Sequence, residues 1–288
     1  MRRRKRFLLE LASRTLTLGE RTLVMGVLNI TPDSFSDGGR FFTAKKAVQA
    51  ALQIEEAGAD LLDIGAESTR PGSGGISAAE ELARLLPVLQ ELRGRLKIPI
   101  SLDTQKSAVA ELAIGAGVEM LNDISGLRND RRLAEVAARH KVPIVLMHMR
   151  GTPRTMQKQP FAKNVLQDVA KGLRRSVALA RRAGVHDWQI ILDPGIGFGK
   201  SYSQNYELLA HLRQLGKLGY PLLVGTSRKG FLGATLARDG KALPTDERIW
   251  GTAASVAASI LNGAHIVRVH DVEEMAQVAR VADAVVNG

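Results

Sequence analysis

The sequence predicts an α/β protein, a (β/α)8 TIM barrel formed by a single domain. Short apolar runs rich in β-branched residues alternate with longer segments of helical periodicity, a pattern typical of βα units around a parallel sheet. Eight such runs occur in 288 residues, which suits the strand number and the size of this barrel. The runs are continuously apolar, as in strands that are buried on both faces. A doubly wound open sheet is the alternative.

The predicted strands are short and evenly distributed along the chain. They are Thr22–Asn29, Leu61–Gly65, Ile100–Asp103, Met120–Asp123, Pro143–Met147, Gln189–Asp193, Pro221–Gly225 and Ile266–Val269. Helical periodicity predicts helices between and after them, among them Ala44–Ala57, Ser77–Arg95, Lys106–Gly115, Asn164–Ala183, Thr245–Asn262 and Val272–Val286. No low-complexity linker divides the chain. We therefore predict one barrel domain over residues 21–288, preceded by an N-terminal basic segment over residues 1–20.

Composition excludes several classes of function. The chain has no cysteine, so a disulfide framework, a thiolate metal site and a cysteine nucleophile are all excluded, and a reducing cytoplasm fits. No stretch reaches the roughly 18 apolar residues that a membrane span needs. The N-terminal MRRRKR resembles the start of a signal peptide, but Glu10 interrupts the apolar run that follows. We expect these basic residues to form a solvated tail, with a partner-binding patch as the alternative.

The net charge of +11 raises the possibility of nucleic-acid binding. Lys and Arg are spread through the helical segments, however, and only 4% of the residues are aromatic, which leaves few platforms for base stacking. An anionic small-molecule substrate explains the same bias. We therefore predict small-molecule substrates and no nucleic-acid or membrane partner.

Acidic and amide side chains close three of the predicted strands. Asp103, Asn122 and Asp193 should project over the mouth of the barrel, where active sites of this fold lie. A carboxylate can accept two parallel hydrogen bonds, so this set suits a flat heterocycle with adjacent N–H donors and can also stabilise a cation. The alternative for Asp103 is that it caps the following helix.

A second set of candidate residues is basic. Arg70, Arg228, Lys229 and His270 follow predicted strands and Arg268 lies near the end of the last one, and the loops after the last two strands of such barrels often bind phosphate. They predict an anion pocket, with surface ion pairs as the alternative. Lys229 could instead point inward at the heterocycle.

The sequence offers no dedicated site for a transition metal. Its six histidines are scattered and form neither a facial triad nor an HExxH motif. Magnesium remains compatible, because this ion commonly keeps several waters and takes only one or two protein oxygens beside a substrate diphosphate. Asn29 is the candidate ligand, and a strand-end amide bonded to its own loop is the alternative.

Seven motifs, in order along the chain, together resemble the dihydropteroate synthases of the pterin-binding family. They are MGVLNITPDSFSDGG, ESTRPG, LNDISG, MHMRGTPRTM, LDPGIGFGK, GTSRKGFLG and RVHDV. The resemblance implies a (β/α)8 barrel, Mg²⁺ and a homodimer. It also implies an enzyme of folate biosynthesis that joins 6-hydroxymethyl-7,8-dihydropterin diphosphate to 4-aminobenzoate and is inhibited by sulfonamides. The sequence departs from the family only slightly, with Ala66 where relatives often have glycine.

The resemblance also assigns roles to individual residues. The pterin-binding set is Asp103, Asn122, Met147, Asp193 and Lys229. Diphosphate contacts are Thr69, Arg70, Arg268 and His270, and the aminobenzoate site takes Thr69, Pro71, Phe198 and Ser227. Asn29 matches the Mg²⁺ ligand. The catalytic residues are expected to be Asp103, Lys229 and Asp37.

The implied mechanism is a dissociative substitution in which diphosphate leaves before aminobenzoate attacks. A free pterin methylene cation would be captured by water, so the site must close during the reaction. We expect the polar segment NITPDSFSDGGR to be a lid, in which Phe35 covers the ring and Asp37 meets the cation or its metal. Two alternatives are a pterin-dependent methyltransferase and a non-catalytic pterin-binding paralogue.

Overall fold

The computed structural model describes residues 4–31, 40–68, 74–152, 154–156 and 161–288, with the backbone alone at 40–43. The chain begins with an antiparallel hairpin of two strands, β1 (Phe7–Glu10) and β2 (Thr15–Leu18). The barrel strands follow it. They are β3 (Leu23–Asn29), β4 (Leu61–Gly65), β5 (Ile100–Asp103), β6 (Met120–Asp123), β7 (Ile144–Met147), β8 (Ile190–Asp193), β9 (Leu223–Val224) and β10 (Ile266–Val269).

The eight strands β3 to β10 form one parallel sheet in the order β8-β7-β6-β5-β4-β3-β10-β9. The ring is closed by a parallel bridge between Leu192 and Leu222, where the Leu192 amide donates to the Pro221 carbonyl at 2.9 Å. This confirms the predicted barrel. β9 is shorter than the predicted strand Pro221–Gly225, and Pro221, which has no N–H to contribute to a ladder, lies outside it.

Helices cover the outside of the ring. They are α1 (Arg40–Glu56), α2 (Ala78–Leu92), α3 (Ser107–Gly115), α4 (Arg132–His140), α5 (Val165–Arg182), α6 (Tyr202–Ala210), α7 (Leu212–Gly216), α8 (Gly230–Thr235), α9 (Ile249–Leu261) and α10 (Val272–Asn287). Side-chain caps define several of their starts. Ser77 accepts from the Glu80 amide at 3.1 Å before α2, and Asn164 accepts from the Gln167 amide at 3.0 Å before α5. Within the described ranges, no helix is long and apolar enough to cross a membrane.

Strand side chains alternate between two apolar environments. Outward residues such as Leu62, Leu102 and Leu192 are fully buried against the helices and belong to the main core. Inward residues at the N-terminal ends of the strands form a second apolar cluster, which we call the barrel floor. Its barrel members are Leu23, Met25, Leu61, Met120, Val145, Ile191, Leu223 and Ile266.

The N-terminal hairpin seals the barrel floor from below. Leu9 of β1 and Leu18 of β2 are fully buried and pack in the same cluster as the floor residues. The residues before the hairpin are also anchored. Arg4 is buried, and its guanidinium donates to Thr22 Oγ1 at 2.5 Å and to Asp283 Oδ1 at 2.5 Å. The expectation of a solvated tail is therefore wrong for Arg4, because this cation is paired inside the fold, whereas Lys5 and Arg6 are exposed.

We predict that Leu9→Ala lowers the free energy of unfolding by about 2–5 kcal/mol, because it removes buried methyl groups and leaves a cavity in the barrel floor. The measurement is equilibrium denaturation in urea. Leu8→Ala is the matched control, since Leu8 is the next residue and is 60% exposed. Equal losses in the two variants would show that the hairpin does not seal the floor.

Candidate active site

The barrel interior changes from apolar to polar directly above the floor. Residues two positions apart on a strand share a face, so each floor residue is followed inside the barrel by the residue two places further on. In four strands this next residue is polar or charged. The pairs are Leu61 and Asp63, Met120 and Asn122, Ile191 and Asp193, and Ile266 and Arg268. We call these four upper side chains the polar layer.

Arg268 lies between two carboxylates. Its Nε donates to Asp63 Oδ2 at 2.6 Å, and its Nη2 donates to Asp103 Oδ2 at 3.1 Å. Asn122 Nδ2 donates to the same Asp63 oxygen at 3.0 Å. Asp63 is fully buried, so a single carboxylate holds both the guanidinium and the amide in place.

Asp103 ends β5 at the mouth of the barrel. Burial raises the pKa of Asp103 to about 7; the guanidinium of Arg268 opposes this rise, and the carboxylate of Asp63 adds to it. The helix-capping alternative does not hold for this residue. The amide of Ser107, at the start of α3, donates instead to Asp130 Oδ2 at 2.9 Å.

Asp193 and Lys229 form an oppositely charged pair across the mouth. Asp193 Oδ1 accepts from the Gly195 amide at 2.6 Å, and burial raises its pKa while Lys229 lowers it. The Lys229 ammonium donates to the Ile196 carbonyl and lies 4.6 Å from the centroid of the Phe198 ring. Burial lowers the pKa of Lys229 to about 8, although Asp193 opposes that shift.

An apolar wall stands beside these charges. Met147 is buried in a cluster with Ile124, Met149 and Met156, and Phe198 packs against it. Thioether and aromatic side chains make favourable, adaptable contacts with flat rings. The site therefore has acceptors and cations next to an apolar surface on which a planar ligand can lie.

His270 and Ser227 meet where the last two barrel strands end. Ser227 Oγ lies 3.0 Å from His270 Nδ1 and accepts from the His270 amide at 3.2 Å. Burial, with the neighbouring charge of Arg268, lowers the pKa of His270 to about 4. His270 is therefore neutral at pH 7, and its expected place among the basic residues is corrected to that of a neutral hydrogen-bonding group.

Arg228 does not belong to the anion pocket that the sequence predicts. Its guanidinium makes a two-pronged ion pair with Asp271, with Nε 3.1 Å from Oδ2. Its backbone has φ +59°, and its amide donates to Thr252 Oγ1 at 3.1 Å. The ion-pair alternative therefore applies to Arg228, because the carboxylate of Asp271 already neutralises its guanidinium.

Lys200 was not predicted from the sequence, although it joins two loops of the site. Its buried ammonium donates to the His148 carbonyl at 2.9 Å and to the Phe198 carbonyl at 3.0 Å. It also lies 3.0 Å from His148 Nδ1. Burial lowers the pKa of His148 to about 2 and also lowers that of Lys200. Lys200 thus fixes the backbone that carries Phe198.

Asp63 was also not predicted, because it lies within the apolar run LLDIG. Its charge inside a fully buried strand is the signal that could have identified it. Its second oxygen, Oδ1, and Ser101 Oγ are buried without a hydrogen-bond partner among the described residues. Asp63 and Ser101 are paired in register on neighbouring strands, so these two atoms are polar positions inside the barrel.

The predicted metal ligand, Asn29, ends β3 at the barrel mouth and is exposed. It pairs in register with Gly65, which in turn pairs with Asp103. Its amide supplies one hard oxygen, which fits the coordination of Mg²⁺ beside a diphosphate. No group of three or more His, Asp or Glu side chains suited to a metal occurs in the part of the chain that the structure describes.

Five predicted site residues lie outside the described residues. They are Phe35 and Asp37 of the predicted lid, and Thr69, Arg70 and Pro71 of the loop after β4. The structure brings the other candidates together at the barrel mouth. These are Asn29, Asp103, Asn122, Met147, Asp193, Phe198, Ser227, Lys229, Arg268 and His270.

Comparisons with known proteins agree with this geometry. The sequence pattern of the family described as "Pterin binding enzyme" matches residues 25–270. The dihydropteroate synthase of Synechocystis sp. is 51% identical over 267 residues, which cover 92% of this chain and 91% of that protein.

Two solved structures are similar over nearly their full length. The Yersinia pestis dihydropteroate synthase in complex with a sulfonamide drug has a TM-score of 0.90 at 40% identity, covering 98% of this chain and 100% of that one. The Xanthomonas albilineans dihydropteroate synthase with 4-aminobenzoic acid has a TM-score of 0.89 at 40% identity, covering 98% of both chains.

We predict that Asp103→Asn gains thermal stability relative to the wild type as pH rises from about 4 to above 7. The pKa of Asp103 is raised on folding to about 7, so its contribution to stability is full below its unfolded pKa and is lost as pH passes 7. The variant has no such loss. The measurement is the melting temperature of both proteins across this pH range.

Asp130→Asn is the control for this titration. Burial acts to raise the pKa of Asp130, but hydrogen bonds from Ser107 outweigh it and lower the pKa. This variant should therefore be less stable than the wild type once pH exceeds about 4, and its melting-temperature difference from the wild type should stay constant from about pH 5 to above 7. A melting-temperature difference for Asp103→Asn that does not change with pH would contradict the raised pKa of Asp103.

Proposed function

The chain belongs to the pterin-binding enzyme family, and on this basis we propose that it is a dihydropteroate synthase. It condenses 6-hydroxymethyl-7,8-dihydropterin diphosphate with 4-aminobenzoate and releases 7,8-dihydropteroate and diphosphate. The enzyme is a transferase of folate biosynthesis, since it moves a pterinylmethyl group to an arylamine. The absence of cysteine favours a cytoplasmic location.

The observation that carries this proposal is the set of hydrogen-bond acceptors above the barrel floor. Asp103, Asn122 and Asp193 surround Arg268 and Lys229 at the mouth of the barrel. Carboxylate and amide oxygens accept from adjacent N–H groups, which a pterin presents along one edge. Met147 packs on the face of the ring in this proposal.

The other two substrate groups lie further out. The diphosphate is bound by the cation of Arg268 and the neutral imidazole of His270, while Phe198 and Ser227 form walls for aminobenzoate. Sulfonamides, which mimic aminobenzoate, compete for that part of the site. Thr69, Arg70 and Pro71 remain sequence predictions for these two regions.

The reaction is a dissociative substitution. The bond between the pterin methylene carbon and the diphosphate oxygen breaks, and its electron pair leaves with the diphosphate. The carboxylates of Asp103 and Asp193 stabilise the resulting cation. The lone pair of the aminobenzoate amine then forms the new C–N bond, and the amine loses a proton. Exclusion of water by Phe35 and Asp37 remains a sequence prediction.

Mg²⁺ is the proposed cofactor, and it supplies positive charge to the departing diphosphate. Asn29 would provide one amide oxygen to it, and the substrate and water would provide the other ligands. Lys229, with a pKa lowered to about 8, is mostly protonated at pH 7. It therefore supplies a hydrogen-bond donor to the pterin and partly balances Asp193.

The test is formation of dihydropteroate from the two substrates with Mg²⁺, followed by chromatography of the pterin product. We expect product that requires aminobenzoate, loss of product on chelation, and a higher Mg²⁺ requirement in Asn29→Ala. Leu8→Ala is the control variant, since Leu8 is exposed at the opposite end of the barrel. Tight pterin binding without product would instead identify a non-catalytic paralogue.

A homodimer is part of the proposal. Helices α9 and α10 pack against each other, and they carry three exposed apolar side chains, namely Trp250 (79% exposed), Val281 (68%) and Val285 (55%). Exposed apolar groups concentrated on neighbouring helices favour burial against a second copy of the chain.

We predict that Trp250→Glu with Val281→Glu converts a dimer to a monomer, because charge at the centre of an apolar interface opposes association. The measurement is molar mass by light scattering after size exclusion. Leu112→Glu is the matched control, since Leu112 is 53% exposed on α3. A monomeric wild type, or a double variant that stays dimeric, contradicts this interface.

A further inference from the structure

We propose that Asp63 is a positioning residue of the reaction, holding Arg268 and Asn122 in the orientation in which they meet the pterin substrate. The inference rests on the proposed function and adds a residue to it. Asp63 acts through its neighbours, because it lies deeper in the barrel than the predicted pterin-binding carboxylate. Its partner in register is Ser101, whereas Asp103 is two residues further along the same strand.

The first part of the argument concerns Arg268. A guanidinium has five N–H donors in a rigid fork, so fixing one nitrogen fixes the plane of the whole group. Asp63 Oδ2 accepts from Nε at 2.6 Å, on the side of the fork nearest the chain. The terminal nitrogens are then directed away from the floor, and Nη2 reaches Asp103 at 3.1 Å.

The second part concerns the polarity of Asn122. Its amide can present either a donor or an acceptor to a ligand, and the neighbour decides which. Asp63 Oδ2 lies 3.0 Å from Nδ2 and can only accept, so the nitrogen faces Asp63 and the carbonyl oxygen is left for another donor. The opposite orientation would bring two acceptor oxygens together inside the protein. Asp63 thus makes Asn122 an acceptor for ring N–H groups.

The third part concerns charge. Asp63 and Asp103 share one guanidinium, so each carboxylate receives less neutralisation than it would alone. Removing the charge of Asp63 would leave Arg268 to Asp103 and would remove a repulsion between the two acids. Both changes favour the ionised form of Asp103 and lower its pKa.

The principal test is the pH dependence of kcat/KM for the pterin substrate in Asp63→Asn. This variant keeps the size of the side chain and one acceptor oxygen but removes the charge. We expect the acid limb of the profile, near pH 7 in the wild type, to move about one pH unit lower. We also expect KM for the pterin substrate to rise and KM for aminobenzoate to stay within about twofold of wild type.

Asp283→Asn is the matched control. Asp283 is also a buried acid paired with an arginine, since it accepts from Arg4 at 2.5 Å and from the Thr22 amide at 2.6 Å, but it lies at the closed end of the barrel. This variant should lower the melting temperature and leave the acid limb in place. A residue that serves only stability would behave in the same way, so a stationary limb in folded Asp63→Asn overturns the inference.

A second test uses pterin binding to determine whether the Asn122 amide presents its oxygen to the ligand. Asn122→Asp alone sets a second carboxylate against Asp63, and we expect affinity for 6-hydroxymethylpterin at pH 8 to fall at least tenfold. Exchanging the two residues, Asp63→Asn with Asn122→Asp, returns the pair to a single negative charge, although the amide atom that donates to the new carboxylate at position 122 cannot also accept from Arg268 Nε as Asp63 Oδ2 does. We expect the exchange to recover part of the lost affinity, binding 6-hydroxymethylpterin at least about threefold more tightly than Asn122→Asp, because the repulsion between two carboxylates is removed.

The outcomes separate this inference from the proposed function. Dihydropteroate formation by the wild type establishes the function whatever Asp63 does. With that activity present, an exchange variant that folds and binds pterin no better than Asn122→Asp overturns the positioning role. Pterin binding measured by calorimetry needs no turnover. The second test therefore remains decisive even where Asp63→Asn is too unstable for kinetic measurements.

Discussion

The arrangement of the active site depends on one buried guanidinium. Arg268 comes from the last barrel strand and reaches Asp63 of β4 and Asp103 of β5, while Asn122 of β6 joins through Asp63. A buried charge is costly unless it is paired and hydrogen-bonded. Arg268 therefore needs at least one of these acids, and the acids need Arg268. These contacts connect the side chains of four strands, β4, β5, β6 and β10, near the mouth of the barrel. Hydrogen bonds between the strand backbones do not determine the orientation of these side chains, so the side-chain contacts determine it.

This network also depends on the apolar floor, which keeps water away from it. Leu9 and Leu18 of the hairpin complete the apolar floor beneath the polar layer, and Arg4 anchors the approach to the hairpin on Asp283. Electrostatic interactions strengthen when water is excluded, and burial is the first cause of the raised pKa of Asp103. The hairpin lies at the opposite end of the barrel from the proposed substrate site, and it completes the apolar floor beneath the polar layer.

The sequence predicted the elements whose signals are local. Buried parallel strands are continuous apolar runs, so the strand Ile100–Asp103 and three others were predicted with the bounds that the structure has. Helices α4, α6, α7 and α8 were not given bounds from the sequence; α7 and α8 have only five and six residues, and α8 contains two glycines. The burial of Arg4 depends on Asp283, which is 279 positions away, and no local pattern reveals such a contact.

The same distinction applies to the site. Asp103, Asn122 and Asp193 could be recognised because each stands at or near the end of an apolar run, where the barrel fold concentrates its chemistry. Asp63 stands inside such a run, so its role depends on which face of β4 turns inward and on what the neighbouring strands place there. The pairing of Arg228 with Asp271, rather than with a substrate anion, likewise depends on loop geometry that the sequence does not determine.

The balance of charge above the floor explains why this site suits a cationic intermediate. Three carboxylates, Asp63, Asp103 and Asp193, face two cations, Arg268 and Lys229, so the set carries one net negative charge when all five are ionised. His270 adds no charge at pH 7, because burial lowers its pKa to about 4. Protonating Asp103, whose pKa is about 7, would make the set neutral. In the proposed mechanism, the negative charge that stabilises a pterin methylene cation thus depends on the ionisation of Asp103, and the terminal nitrogens of Arg268 face outward to attract the anionic diphosphate.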